Sequence, residues 1–245
     1  MKCLILAAGY ATRLYPLTEN FPKPLLKVKD KCIIEWLIDD LRSAEIIDEF
    51  IVITNHKFAE HFKNWAKGKS YKITIVDDGT STNETRLGAV RDMELAIKKL
   101  GIKDDIVVLA GDNVLDFSLT DFIDYCLKKK TSCVMRYFEE DVKTLSKCGV
   151  LELKGDLVLN MEEKPQEPKS QWCCPPFYYY TVEDMKRIET AIADGCGVDA
   201  PGSFVSWLAK KTSVNAMKMS GKRYDIGNLA SYSKVCQEYS GIKKS

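Results

Sequence analysis

The sequence is poor in several features that would fix a function at once. It holds only two histidines, His56 and His61, five residues apart in a segment of helical pattern, where they share no face well. They read as surface residues and not as metal ligands. Charge of one sign is missing too: 36 basic against 35 acidic residues leave a net charge of +1. That balance lacks the basic footprint of a nucleic-acid binder, so no nucleic-acid partner is expected. An anionic ligand would have to be held by locally placed groups. Long apolar runs are absent. The longest, Cys3–Ala8 and Ile106–Ala110, fall far short of the ~20 residues of a membrane span. Only Lys2 precedes the first apolar run, and Gly9 ends it too early for a signal-peptide core, so a cytoplasmic protein without a membrane partner is expected. Nine cysteines are present, but none stands in a Cys-x-x-Cys pair. They read as small buried hydrophobes, with Cys173-Cys174 at a loop-to-strand junction. Internal repeats and low-complexity stretches are also lacking. The tail Gly241–Ser245 carries no pattern and is expected to fray.

What is present is an alternation of strand-like and helix-like segments. Lys2–Ala7, Phe50–Thr54, Lys72–Val76, Asp105–Ala110 and Ser132–Phe138 are β-prone. Between them Cys32–Ala44, Lys57–Ala66, Gly88–Leu100 and Leu119–Lys129 carry helical spacing, with Asn55 placed as an N-cap. Apolar strands separated by helices predict an α/β fold with a mostly parallel sheet covered on both faces. Beyond Phe138 the pattern changes. Gly149–Leu153 and Leu157–Glu162 flank Lys154-Gly155-Asp156, which predicts a hairpin. Phe177–Thr181 and Val214–Met219 read as strands, Arg223–Ile226 as a short extended piece, and Val182–Ala193, Ser203–Lys211 and Ala230–Tyr239 as helices. One domain over 1–245 is expected, with a boundary near Phe138–Lys147 between a first half (about 1–138) and a smaller β-rich second half (about 139–245).

The first strand runs into Ala8-Gly9-Tyr10-Ala11-Thr12-Arg13. In open α/β sheets ligands bind at the carboxyl ends of strands, and small residues there let backbone N–H groups approach phosphate. Ala7, Ala8 and Gly9 are small enough, Thr12 adds a hydroxyl, and Arg13 adds a planar, permanently charged fork. Ten residues on, Lys23 is pinned between Pro22 and Pro24. The loop is neither Gly-x-Gly-x-x-Gly nor a Walker loop. Two aspartates follow strand-like segments: Asp112 in Gly111-Asp112-Asn113 and Asp225 in Arg223-Tyr224-Asp225-Ile226-Gly227. Two carboxylates, with phosphate oxygens and water, suit Mg²⁺. By spacing alone, an Asp112 that closes a turn and an Asp225 that caps the last helix account for them as well.

Leu6 through Thr18, followed by Phe21-Pro22-Lys23-Pro24-Leu25-Leu26, resembles the signature of the sugar-phosphate nucleotidyltransferases, which include glucose-1-phosphate thymidylyl-, uridylyl- and cytidylyltransferases. The resemblance implies an enzyme with the nucleotide-diphospho-sugar transferase fold, a Rossmann-like sheet with an acceptor-binding sub-lobe. It implies that Leu6, Ala7, Ala8, Gly9, Thr12, Arg13, Lys23, Gly88 and Asp112 contact the nucleotide. Arg13 and Lys23 stabilise the reacting phosphates, and Asp112 and Asp225 hold Mg²⁺. Gly149-Val150-Leu151-Glu152 and Met161-Glu162-Glu163-Lys164-Pro165 are similar to the family's acceptor strands, with Gly149 and Glu163 on sugar hydroxyls and Lys164 on the sugar phosphate. Pro175-Pro176 and Val198–Ser203 depart from the pattern on the acceptor side. Asp77–Gly88 departs from it in the base-reading segment. The expected reaction transfers a nucleoside monophosphate from a nucleoside triphosphate, most simply a pyrimidine one, to a sugar 1-phosphate. The rival readings are a phosphocholine-type cytidylyltransferase and a non-catalytic nucleotide sensor of the same fold. The chain is too short for an appended β-helix acyltransferase domain, so a bifunctional enzyme is not expected.

Overall fold

A computed structural model describes residues 1–243. Lys244 and Ser245, part of the tail expected to fray, lie outside the described residues. The preceding Lys243 is anchored instead: its N–H donates to the Asp116 carbonyl at 2.9 Å and its ammonium sits 2.9 Å from the Asp116 carboxylate.

Two compact units are interleaved along the chain. The first comprises Met1–Arg86, Ala110–Thr120 and Ser220–Ser245, and the second Leu87–Leu109 and Asp121–Met219. The first is built on three parallel strands, Lys2–Leu6, Glu49–Thr54 and Ile73–Asp77, with Leu6 opposite Ile53 and Thr54 opposite Asp77. The middle strand is buried at all six positions, as expected of a strand covered on both faces. The helix Ile33–Arg42 turns Ile33, Ile34, Leu37, Ile38 and Leu41 inward at helical spacing. Asn55 caps as predicted, accepting the Phe58 N–H at 3.1 Å, although the following segment begins as a 3₁₀ turn, His56–Phe58, before the helix Ala59–Ala66. A short antiparallel pair, Asn113–Leu115 with Arg223–Asp225, also belongs to this unit.

In the second unit the expected hairpin forms between Gly149–Lys154 and Leu157–Glu163, and Gly155 takes the positive φ (63°) that its two-residue turn requires. The strand Val214–Lys218 runs parallel to Ser132–Phe138. The mostly parallel arrangement expected of the first half gives way here. The aromatic strand Phe177–Tyr180, fully buried, inserts antiparallel between Ile106–Ala110 and Ser132–Phe138. Cys173 and Cys174 lie buried in a three-residue strand, Trp172–Cys174, that pairs with both Ser132–Phe138 and Gly149–Lys154. Val182–Ala193 is two helices, Val182–Met185 and Ile188–Ala193. Among the described residues no helix is long and apolar enough to cross a membrane.

Candidate active site

In the first unit, the strand Lys2–Leu6 ends where the loop begins, and its neighbour strand organises that loop. The Ala7 N–H donates to the Ile53 carbonyl at 2.8 Å. Thr54 Oγ1 donates to the Ala7 carbonyl (3.3 Å) and Asn55 Nδ2 to the Ala8 carbonyl (2.9 Å). With those carbonyls held, the N–H groups of Ala8, Gly9 and Tyr10 donate to no protein acceptor among the described residues. A Cβ on Gly9 would meet nothing within 4 Å, so the loop faces open space there. Unpaired N–H groups beside small residues are what an anion-binding concavity requires. Ala11 takes a left-handed conformation (φ 49°, ψ 41°), which a non-glycine residue holds only when its surroundings fix it. Thr18, fully buried, supplies that restraint by donating to the Ala11 carbonyl at 2.8 Å. The 3₁₀ turn Thr12–Leu14 then leaves Thr12 and Arg13 exposed.

Lys23 opens the 3₁₀ turn Lys23–Leu25, and Pro22 and Pro24 restrict the backbone on either side of it. It is 7% exposed, and its ammonium donates to Asp112 Oδ2 at 2.8 Å. Asp112 stands in the turn after Gly111, whose N–H donates to the Leu6 carbonyl. A Cβ at Gly111 would press on Ile5 Cγ2 at 3.0 Å, so glycine allows this turn to lie on the first strand. Burial pushes the Asp112 carboxyl up, but the Lys23 ammonium and the Arg223 guanidinium outweigh it and hold the group below its ordinary value.

Asp225 lies opposite Asn113 in the antiparallel pair, one residue from Asp112. It does not cap the last helix. Asn228 does so, accepting the Ser231 N–H at 2.9 Å. Asp225 Oδ2 and Arg13 Nη1 face the same point, lying 3.6 and 3.9 Å from where a Cβ on Gly227 would be. Two hard carboxylates, one in the strand pair and one a residue before it, together with an arginine and unpaired loop N–H groups, suit a divalent ion that draws its other ligands from phosphate and water. Among the described residues no group of three histidine, cysteine or acidic side chains could hold a metal by itself. The donor set therefore fits Mg²⁺ bound together with a phosphorylated ligand.

The second unit brings Gly149 and Glu163 opposite each other at the open end of the hairpin. Glu163 is half-buried and accepts the backbone N–H of Gly202, the first residue of the helix Gly202–Leu208. Burial raises its carboxyl above the usual value, and Lys164 and that N–H offset only part of the rise. A Cβ at Gly202 would overlap Glu163 Oε1 and Met161 Cε, and one at Gly149 would also overlap Met161 Cε. Both glycines clear the space around the carboxylate. Lys164 is exposed and left-handed (φ 49°), its N–H donating to the Cys148 carbonyl at 2.9 Å.

Gly88 also belongs to the second unit. Its φ is +91°, and a Cβ would lie 2.5 Å from the Val198 carbonyl oxygen. The next two N–H groups, of Ala89 and Val90, donate to the carbonyls of Asp199 and Val198. In the divergent segment, Asp77 accepts from His56 Nδ1 at 2.7 Å. Burial would raise its carboxyl, but His56 and the Gly79 N–H hold it low. Burial pushes the neighbouring Asp78 up. His56 is exposed, as expected, whereas His61 is half-buried against Phe21 and Phe58. Residues that sequence reasoning passed over are Thr18, Asn113, Arg223 and Gly202. Thr18 acts on Ala11 within its own motif, whereas Asn113 and Arg223 stand in separate motifs and each finds its partner 110 residues away.

The chain matches the family model described as nucleotidyl transferase over residues 2–241. Among curated proteins it is similar to a glucose-1-phosphate thymidylyltransferase of Mycobacterium tuberculosis, with 29% identity over 94% of this chain and 75% of that protein. It is also similar to an archaeal protein, the bifunctional protein GlmU of Methanocaldococcus jannaschii, with 26% identity over 93% of this chain and 51% of that one. The chain spans 51–64% of the length of the curated relatives it matches first. Among solved structures, UDP-glucose pyrophosphorylase complexed with UDP-glucose superposes with a TM-score of 0.82 over 97% of both chains at 20% identity, a likeness of fold.

Proposed function

Because the chain belongs to the nucleotidyl transferase family, we propose that it transfers a nucleoside monophosphate from a pyrimidine nucleoside triphosphate to a sugar 1-phosphate in the cytoplasm, releasing pyrophosphate. The observation that carries this reading is the constellation of Lys23, Asp112, Asp225 and Arg13 around a loop whose N–H groups have no protein acceptor among the described residues. The acceptor's phosphate oxygen forms a bond to the α-phosphorus as the bond from that phosphorus to the β-phosphate bridging oxygen breaks. The attacking oxygen is already anionic, so no general base is required. The protein's work is alignment and neutralisation of charge.

Loop residues Leu6–Gly9 and Thr12 receive the triphosphate. Lys23, preorganised by its prolines and nearly buried, meets the α-phosphate, and Arg13 meets the leaving pyrophosphate. Asp112 and Asp225 would hold Mg²⁺, which neutralises phosphate charge when bound. On the acceptor side, Glu163 and the Gly149 opposite it contact sugar hydroxyls, and Lys164 pairs with the sugar phosphate. Gly88 contributes by setting the start of the helix Ala89–Leu100. The test is a matrix of nucleoside triphosphates against sugar 1-phosphates and phosphocholine, read as pyrophosphate release. Turnover with a sugar 1-phosphate supports the reading; turnover with phosphocholine alone, or silence throughout, overturns it.

A further inference from the structure

The strand pair that carries Asp225 also carries a cation with no place in the reaction so far. Arg223 projects from Arg223–Asp225, and its Nη1 donates to Asn113 Oδ1 at 2.7 Å. Asn113 is fully buried, and its Nδ2 donates in turn to Asp112 Oδ1 at 2.7 Å. The two bonds fix the amide's orientation, since a flipped Asn113 would set its NH₂ against the guanidinium and its oxygen against the carboxylate. Arg223 Nη1 also lies 3.9 Å from Asp225 Oδ1. A continuous polar chain thus runs Lys23, Asp112, Asn113, Arg223, Asp225, entirely within the first unit.

We propose that Arg223 is a positioning residue and built-in counter-cation of the carboxylate pair, which weakens the pair's hold on a bare divalent ion so that the metal is retained only with the triphosphate. Lys23 and Arg13 are the other cations at these carboxylates, but the proposed reaction assigns both of them to the incoming phosphates. Arg223 is assigned to no phosphate, and its guanidinium is anchored on a buried amide. A fixed positive charge within a few ångström of a cation site opposes binding unless incoming anions compensate it, and the triphosphate brings that compensation. The inference rests on the reading of Asp112 and Asp225 as metal carboxylates.

Mn²⁺ binding to the nucleotide-free protein, followed by loss of the free-ion electron paramagnetic resonance signal, tests it without turnover. Wild type is compared with Arg223→Met, Arg223→Gln, Arg223→Lys and Asp225→Asn, and the fold of each variant is checked by thermal denaturation. Arg223→Met and Arg223→Gln should bind Mn²⁺ about tenfold more tightly than wild type. Arg223→Lys, which keeps the charge, should stay within about twofold, and Asp225→Asn should bind more weakly. Arg223→Gln keeps an N–H for Asn113, so it decides the matter if Arg223→Met does not fold. Unchanged or weaker Mn²⁺ binding in both neutral variants overturns the inference while leaving the metal assignment standing. Unchanged binding in Asp225→Asn overturns the metal assignment, and the inference with it.

Discussion

The Lys23 ammonium donates to Asp112 Oδ2 at 2.8 Å, joining a proline-flanked lysine to a carboxylate 89 residues later in the chain. The pair places a nearly buried positive charge and a hard oxygen ligand at the mouth of an N–H-lined loop. One partner is suited to a phosphoryl group in transit, the other to the ion that accompanies it.

Replacing Lys23 with Met should lower kcat by roughly 10²–10³, the usual loss when one preorganised donor to developing charge is removed. The KM for the nucleotide should change much less. Steady-state kinetics with both substrates varied would check this, and an equal loss in a variant of an exposed lysine such as Lys57 would argue against a specific role.

Replacing Asp112 with Asn should cost about 1 kcal/mol of stability at neutral pH, a modest sum because Asp112 is half exposed. The sign follows from its depressed folded value. The contribution is complete above the ordinary carboxylate value of 3.8 and is lost as pH falls through the lower folded one. Urea denaturation as a function of pH should therefore show the two proteins converging only in strong acid.

Gly202→Ala would push a methyl group into Glu163 Oε1 and Met161 Cε. Both are ends of flexible side chains, so the fold should survive while the carboxylate moves. Misplacement of a substrate-positioning group by about 1 Å costs up to 10²-fold, so a rise of roughly ten- to hundredfold in the acceptor's KM is expected, with nucleotide KM unchanged. Kinetics with a saturating second substrate separate the two.

Glu163→Gln should abolish productive acceptor binding without lowering stability at neutral pH. Burial raises the Glu163 carboxyl, so its ionisation opposes folding. Wild-type stability falls as pH rises from the ordinary 4.5 through the raised folded value, then levels off. The Gln variant lacks that fall, so its melting temperature relative to wild type should increase across the same window. A constant difference at all pH values would contradict the assignment.

Much of this architecture is legible in the sequence where a local rule decides. Lys154-Gly155-Asp156 announces its hairpin because a two-residue turn needs positive φ, and Asn55 announces a helix start by its capping chemistry. Long-range pairing leaves no such trace. Asn113–Leu115 and Arg223–Asp225 are three residues each, too short to show a period, and meet only in the fold. The strand Trp172–Cys174 is hidden for the same reason, and no pattern in Phe177–Tyr180 says that it lies antiparallel between two earlier strands. At the site, Arg13, Lys23, Asp112 and Asp225 stand out by their chemistry within the motifs. Asn113 and Arg223 do not, since an amide and a guanidinium acquire their role from each other.

The most direct test of the account is pyrophosphate release by the purified protein with a pyrimidine nucleoside triphosphate, with and without glucose 1-phosphate and other sugar 1-phosphates, in Mg²⁺ and after chelation. Release that requires both substrates and the metal, and that falls at least a hundredfold in Asp112→Asn, is the predicted result. Release that proceeds without any acceptor, or that is unchanged in Asp112→Asn, would contradict it.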